Sequence, residues 1–194
     1  LCGAVGGGGV KPLESVELAP KPDANTTIVD PASTQIKDPQ WGPCNAGGAA
    51  GAIYRFLGIY DDVTFPPDVV YSLNGPGDAM HKRYGYPEAK HVIHVIGPDF
   101  KQNPAATRGE AVAALSLCYA AVLRVACSHP RPLLRLVPIS SGIYSGRFRD
   151  EMPAITAEAL LRGFAHLAET DEAAALQLPP HQQRAVELCL YDQA

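Results

Sequence analysis

The chain of 194 residues is 46% hydrophobic and carries a formal net charge of −4 at pH 7, which is typical of one globular domain. The acidic balance argues against a nucleic-acid binder that uses a broad basic face, and we expect no apolar run long enough to cross a membrane. The five cysteines are scattered without a Cys-x-x-Cys pair, a pattern that favours free thiols in a reducing intracellular compartment, most simply the cytosol, over a disulfide frame or a zinc site.

The predicted elements divide the chain into a flexible segment, residues 1–14, and one domain, residues 15–194. Short apolar runs with turn-rich flanks predict the strands. These are residues 15–18, 26–29, 92–96, 133–137 and 186–191. Apolar residues recur at helical spacing between them, which predicts helices over residues 49–57, 110–127 and 152–168. Residues 61–89, rich in Pro, Gly and aromatic side chains, are expected to form a long ordered insertion.

The alternation of strands and helices predicts an α/β sheet covered on both faces, where ligands bind beyond the carboxyl ends of the strands. Three stretches follow such ends: "IVDPAS" at 28–33, "PCNAGGAAGAIY" at 43–54 and "PISSGIYSG" at 138–146. Small residues leave backbone amides accessible, and a helix N-terminus attracts anions. The two Gly-rich loops therefore predict a diphosphate site between them; the alternative is that both are only tight turns.

Four motifs in this order resemble the macrodomain family of ADP-ribose-binding modules. The family's "VNAAN", "GGGVxGAI", "HxVGP" and "P.LSTGIYG" have counterparts here in "VDPAS" (29–33), "AGGAAGAI" (46–53), "HVIGPDF" (94–100) and "PISSGIYSG" (138–146). The resemblance covers residues 17–192. It implies a three-layer α/β/α fold with a mixed central sheet, and a monomer that binds ADP-ribose, free or on a mono-ADP-ribosylated protein, without a cofactor or metal.

The resemblance also implies the ligand contacts. Residues of the two loops would wrap the diphosphate and the distal ribose, Glu17 would accept a hydrogen bond from the adenine amino group, and Tyr191 would stack on the base. The implied set is Glu17, Asp30, Gly47, Gly48, Ala49, Ala50, Ser140, Ser141, Gly142, Ile143, Tyr144 and Tyr191.

The chain departs from the family where hydrolytic members carry polar groups. Ser33 stands where they often have an Asn, Asp30 replaces an earlier Asn, and Ala50 takes the place of an Asp. Asn45, just before the Gly pair, is the candidate substitute, so Asn45 and Ser33 are the catalytic candidates if the chain hydrolyses ADP-ribosyl bonds. Three functions stay open: an ADP-ribose binder, a hydrolase that removes mono-ADP-ribose from proteins or deacetylates O-acetyl-ADP-ribose, and an interaction module that has lost the ligand.

Isolated polar residues suggest other chemistry. His91 and His94 have the spacing of metal ligands, but residues three apart on a strand point to opposite faces, so we expect no metal site. Asp30 is expected to cap a turn in preference to acting as a general base. Cys44 with one of these histidines as base would make a cysteine hydrolase, the most distant alternative.

Overall fold

A six-stranded mixed sheet forms the centre of the protein. The computed structural model describes residues 2–4, 21–169 and 185–189. The strands are β1 (Cys2–Ala4), β2 (Thr26–Ala32), β3 (Ala79–Tyr84), β4 (Lys90–Ile96), β5 (Leu133–Leu136) and β6 (Ala185–Cys189). Their spatial order is β1-β6-β5-β2-β4-β3. The four inner strands are parallel and the two edge strands are antiparallel.

Helices cover both faces of this sheet. They are α1 (Gly48–Leu57), α2 (Pro67–Ser72), α3 (Arg108–Ser128) and α4 (Met152–Ala168), with short 3-10 turns η1 (Thr34–Lys37), η2 (Pro43–Asn45) and η3 (Gly146–Glu151). Alternate residues of β2 and β4 enter opposite cores. Val29 and Ile93 pack with α3 and α4, whereas Ile28 and Val92 pack with α1 and α2. The three-layer α/β/α arrangement with a mixed sheet is therefore confirmed.

Residues 61–89 contribute more than the predicted insertion. They contain α2 and also β3, which pairs with β4 over its whole length and forms one edge of the sheet. The sequence of β3, "AMHKRY", carries three basic or titratable side chains in a row. This edge strand is half-buried along most of its length, so it lacks the clean apolar pattern on which the strand prediction depended.

The long helix α3 corrects one expectation about membranes. It is long and apolar enough to span one by length and composition, contrary to the prediction from the sequence, but 56% of its most apolar window is buried inside the fold. Its Thr107–Glu110 capping box is exposed, but the body of the helix packs against α4 and the sheet. These contacts are those of a core helix.

Candidate functional site

The loops that follow β2, β4 and β5 meet at the carboxyl edge of the parallel strands. Ser140 Oγ, after β5, donates to Pro98 O, after β4, at 2.7 Å. Tyr144 Oη donates to Gln35 Oε1 of η1 at 3.1 Å, which joins the β5 loop to the segment after β2. Helix α1 runs antiparallel to these strands, because Lys90 at the start of β4 donates to Phe56 O near the end of α1. The first turn of α1 therefore lies at the same edge as the three loops.

The start of α1 presents a run of open backbone amides. Gly48 has φ +56, a left-handed conformation that favours glycine, and a Cβ at Gly51 would lie 2.5 Å from Ala46 O. Gly47 and Gly48 are exposed, and Ala49 and Ala50 are half-buried. The first amides of a helix have no intrahelical acceptor. In the described part of the chain, none of the four residues Gly47, Gly48, Ala49 and Ala50 donates its amide to another residue.

The β5 loop presents a second run of open amides on a fixed frame. Ser140 adopts φ +57, unusual for a residue with a Cβ, and Ser141 Oγ donates to Pro138 O at 3.0 Å. The Ile139 N–H donates to the buried Tyr119 Oη at 3.1 Å. The following amides donate to no described acceptor. They belong to Ser140, Ser141, Gly142, Ile143 and Tyr144. The serine hydroxyls bond to the backbone, so the amides are the donors that remain.

The two catalytic candidates already serve as local caps. Ser33 Oγ accepts from the Gln35 N–H at 3.3 Å and caps η1. Asn45 Oδ1 accepts from the Gly42 N–H at 3.0 Å across the start of η2. Asn45 is exposed and Ser33 half-buried, and the Ala50 methyl packs against the apolar core beneath α1. The Asn45 and Ser33 side-chain oxygens are thus engaged in turns, and Ala50 has no polar side-chain atom.

Asp30 lies inside the fold and not on the surface of the loops. Its side chain is fully buried on the α1 face of β2. Its Oδ2 accepts from Tyr54 Oη at 2.8 Å and from His94 Nδ1 at 2.7 Å. Burial first, and then the nearby Asp30 charge, raise the pKa of Tyr54 well above its usual value, so Tyr54 keeps its proton as a donor. The ligand contact implied for Asp30 stays a prediction, and the turn-capping role is wrong because the side chain bonds Tyr54 and His94 instead.

The histidines of β4 do face opposite sides of the sheet, as expected. His94 meets Asp30, whereas His91 Nδ1 lies 3.0 Å from His81 Nε2, and Arg131 Nη2 donates to His91 Nε2 at 3.0 Å. The described residues contain no group of three side chains suited to a metal ion. No histidine contacts the exposed Cys44, whose Sγ lies 3.5 Å from Asn45 Oδ1, so the described residues do not assemble a cysteine–histidine pair.

Four functional neighbours were missed in the sequence. Tyr54 and Gln35 bond to the predicted site residues Asp30 and Tyr144. Tyr84 bonds to His94, and Tyr119 accepts from the Ile139 N–H beside the β5 loop. Only Tyr54 had a usable signal, since it lies within the same motif as the Gly pair. Two predicted contacts, Glu17 and Tyr191, and the strand expected over residues 15–18 lie outside the described residues. A cavity of about 290 Å³ is lined by Trp41, Phe65, Tyr71 and their neighbours, including Ile36 and Lys37 of η1, but by no residue of the Gly47–Ala50 or Ser140–Tyr144 runs.

A comparison with protein-family models decides the family. The Macro domain model matches residues 44–155, more than half of the chain, and includes α1, β4, α3 and the β5 loop. The chain belongs to the Macro domain family. No protein with a curated description matches the sequence.

Solved macrodomain structures share the fold of this chain. This macro domain is similar to the Oceanobacillus iheyensis macrodomain with MES bound, with a TM-score of 0.55, 18% identity and coverage of 89% of this chain and 82% of that one. For a variant of that protein with ADPR, the TM-score is 0.54 and the identity 18%, with coverage of 89% of this chain and 83% of that one. For the Trypanosoma brucei macrodomain, the TM-score is 0.53 and the identity 19%, with coverage of 89% of this chain and 60% of that one. The chain thus spans less than two thirds of the T. brucei chain, and at these identities the likeness establishes the fold alone.

Proposed function

We propose that this macro domain binds ADP-ribose, free or attached to a protein, between the start of α1 and the β5 loop. The observation that carries the proposal is the pair of amide runs, Gly47–Ala50 and Ser140–Tyr144, that have no acceptor in the described part of the chain. Both lie at the carboxyl edge of the parallel strands, and one opens a helix whose dipole favours an anion. A diphosphate supplies enough oxygens to accept from both runs.

Binding without hydrolysis is the version that the side chains support. Asn45 Oδ1 and Ser33 Oγ are engaged in caps, and Ala50 offers no polar atom. A water beside the anomeric carbon would therefore lack an oriented base in this arrangement. Because the amides do not depend on those side chains, affinity for ADP-ribose is expected to survive their substitution.

Calorimetric titration with ADP-ribose, with AMP as the matched control, tests the proposal. Micromolar binding of ADP-ribose and much weaker binding of AMP is the expected result, since AMP lacks the second phosphate and the distal ribose. Absence of heat with both ligands in a folded sample would refute it and leave the interaction module. An assay with mono-ADP-ribosylated protein then separates a binder from a hydrolase, in which Asn45→Ala would slow the release of ADP-ribose.

A further inference from the structure

A buried polar cluster lies directly below the candidate site. Its members are Asp30 of β2, His94 of β4, Tyr54 of α1 and Tyr84 of β3, which we call the Asp30 cluster. Asp30 and His94 are 0% exposed. Tyr54 Oη and His94 Nδ1 both reach Asp30 Oδ2, and Tyr84 Oη lies 3.0 Å from His94 Nε2. Three strands, β2, β3 and β4, and the covering helix α1 are thus joined by hydrogen bonds around the Asp30 carboxyl group.

The cluster places hydrogen bonds where an apolar core would suffice for stability. A buried carboxyl group is costly unless it is hydrogen-bonded. Here one oxygen accepts two hydrogen bonds, while Oδ1 is buried without a partner in the described part of the chain. The hydrogen bond from Tyr54 is therefore one of the two described hydrogen bonds that orient the Asp30 carboxyl group. The apolar contacts of α1 with the sheet have no preferred direction, whereas this hydrogen bond fixes one point of the helix against β2.

That fixed point is close to the proposed diphosphate site. Tyr54 follows Gly48 by six residues, about 9 Å along a helix. Asp30 and His94 are paired in register two residues before β2 and β4 end, which is about 7 Å below the edge where the loops begin. A shift of α1 at Tyr54 would therefore move the Gly47–Ala50 amides relative to the β5 loop by a similar amount.

We propose that Asp30 and Tyr54 are positioning residues that fix α1 over the sheet and so hold the Gly47–Ala50 amides at the spacing that a diphosphate requires. The inference rests on the proposed binding of ADP-ribose. His94 orients the carboxyl group from β4 and Tyr84 orients His94 from β3. None of the four side chains needs to touch the ligand.

Substitutions that keep shape but change the hydrogen bond test this role. Tyr54→Phe removes only the hydroxyl and is expected to weaken ADP-ribose binding by about fivefold or more, as is Asp30→Ala. Asp30→Asn keeps an acceptor for Tyr54 and should bind within about twofold of the wild type, although its amide adds an unpaired buried donor and lowers the Tm. The double variant Asp30→Ala/Tyr54→Phe should bind no more weakly than Asp30→Ala alone, because both remove one interaction. Tyr71→Phe, at an exposed tyrosine of α2, is the control.

Affinity separates positioning from a purely structural role. Wild-type affinity in Tyr54→Phe, or an Asp30→Asn variant as weak as Asp30→Ala, would overturn the proposal even if every variant had a lower Tm. Should Asp30→Ala fail to fold, Tyr54→Phe and Asp30→Asn still decide.

A measurement without ligand keeps this inference distinct from the proposed function. The Gly51 amide bonds to Gly47 O at 3.1 Å at the start of α1, and its hydrogen exchange, followed by NMR, should be faster in Tyr54→Phe than in the wild type or Tyr71→Phe. If the wild type does not bind ADP-ribose but this contrast is present, the proposed function fails and the positioning of α1 stands. Equal exchange in all three proteins would refute the positioning.

Discussion

Two adjacent glycines at the start of α1 allow a matched test of the proposed site. Gly48 adopts φ +56, whereas Gly47 has φ −107 and ψ −177, an extended conformation open to any residue. A Cβ added at either position meets no heavy atom within 4 Å. Alanine at the two positions therefore adds the same methyl group to open space, and the substitutions differ only in the strain on the backbone.

That strain can be estimated from the conformation. A residue with a Cβ in the left-handed region costs about 1–2 kcal/mol, and the reduced freedom of the unfolded chain offsets about 0.4–1 kcal/mol of it. Gly48→Ala is thus expected to lose about 1 kcal/mol of folding free energy, a fall in Tm of about 2–4 °C for a chain of this size. Gly47→Ala keeps the offset without the strain, so its Tm should match or slightly exceed that of the wild type.

The strain of Gly48→Ala is divided between folding and ligand binding. To the extent that the variant relieves it by turning away from the left-handed conformation, the neighbouring amides leave the geometry proposed for the diphosphate, and a cost of up to about 1 kcal/mol moves from the Tm to ADP-ribose binding, where it is about fivefold. Thermal melts and calorimetric titrations of both variants, made side by side, are the assays. Equal Tm values and equal affinities for the two variants would refute the assignment of Gly48 as a conformationally required member of the site.

Three further predictions concern the frame around the site. Thr107→Ala removes an exposed helix cap and should cost about 1 kcal/mol, seen as a lower Tm, while ADP-ribose affinity stays constant; a change in affinity would show that α3 and the loops are coupled. Tyr119→Phe leaves the buried Ile139 N–H without its acceptor, at a cost of about 1–3 kcal/mol, so both Tm and affinity should fall, and an unchanged Tm would contradict the hydrogen bond. Burial, and then its histidine and arginine neighbours, lower the pKa of His81 from 6.5 to about 4. As the pH drops, His81 of the unfolded chain is therefore protonated at a higher pH than His81 of the folded chain, and the free energy of unfolding falls between about pH 6.5 and 4. Partial exposure reduces this contribution to about 1–2 kcal/mol, and melts at pH 7 and pH 5 should show a smaller acid loss in His81→Gln than in the wild type.

Much of the framework follows from sequence because it depends on local pattern. The predicted helices over 49–57, 110–127 and 152–168 agree with α1, α3 and α4 to within two residues at each end. Burial on both faces gives β2 the stretch "TTIV" and β4 the stretch "VIHVI", which are rich in β-branched residues and visible without knowing their partners. The edge strand β3 is different, because its pairing with β4 and not its composition makes it a strand.

The candidate site also has one part that local sequence predicts and one part that depends on strand pairing. The two Gly-rich loops could be predicted because small residues that free the amides are themselves the feature. The Asp30 cluster could not be predicted, because it depends on register: Asp30 and His94 are 64 residues apart and become neighbours only when β2 and β4 align them side by side.

A trace of the cluster was nevertheless present in the sequence. Asp30 ends the run "TTIVD" and His94 interrupts the run "VIHVI", and a polar side chain within a strand buried on both faces needs a partner. Two such residues on parallel strands are natural candidates for each other. The resemblance places Asp30 where the family typically has an Asn and implies a ligand contact there, and the hydrogen bonds of Asp30 run inward to Tyr54 of α1 and His94 of β4. At this departure from the family pattern, the polar side chain therefore joins β2 to α1 and β4 inside the fold, which is the observation on which the proposed positioning of α1 rests.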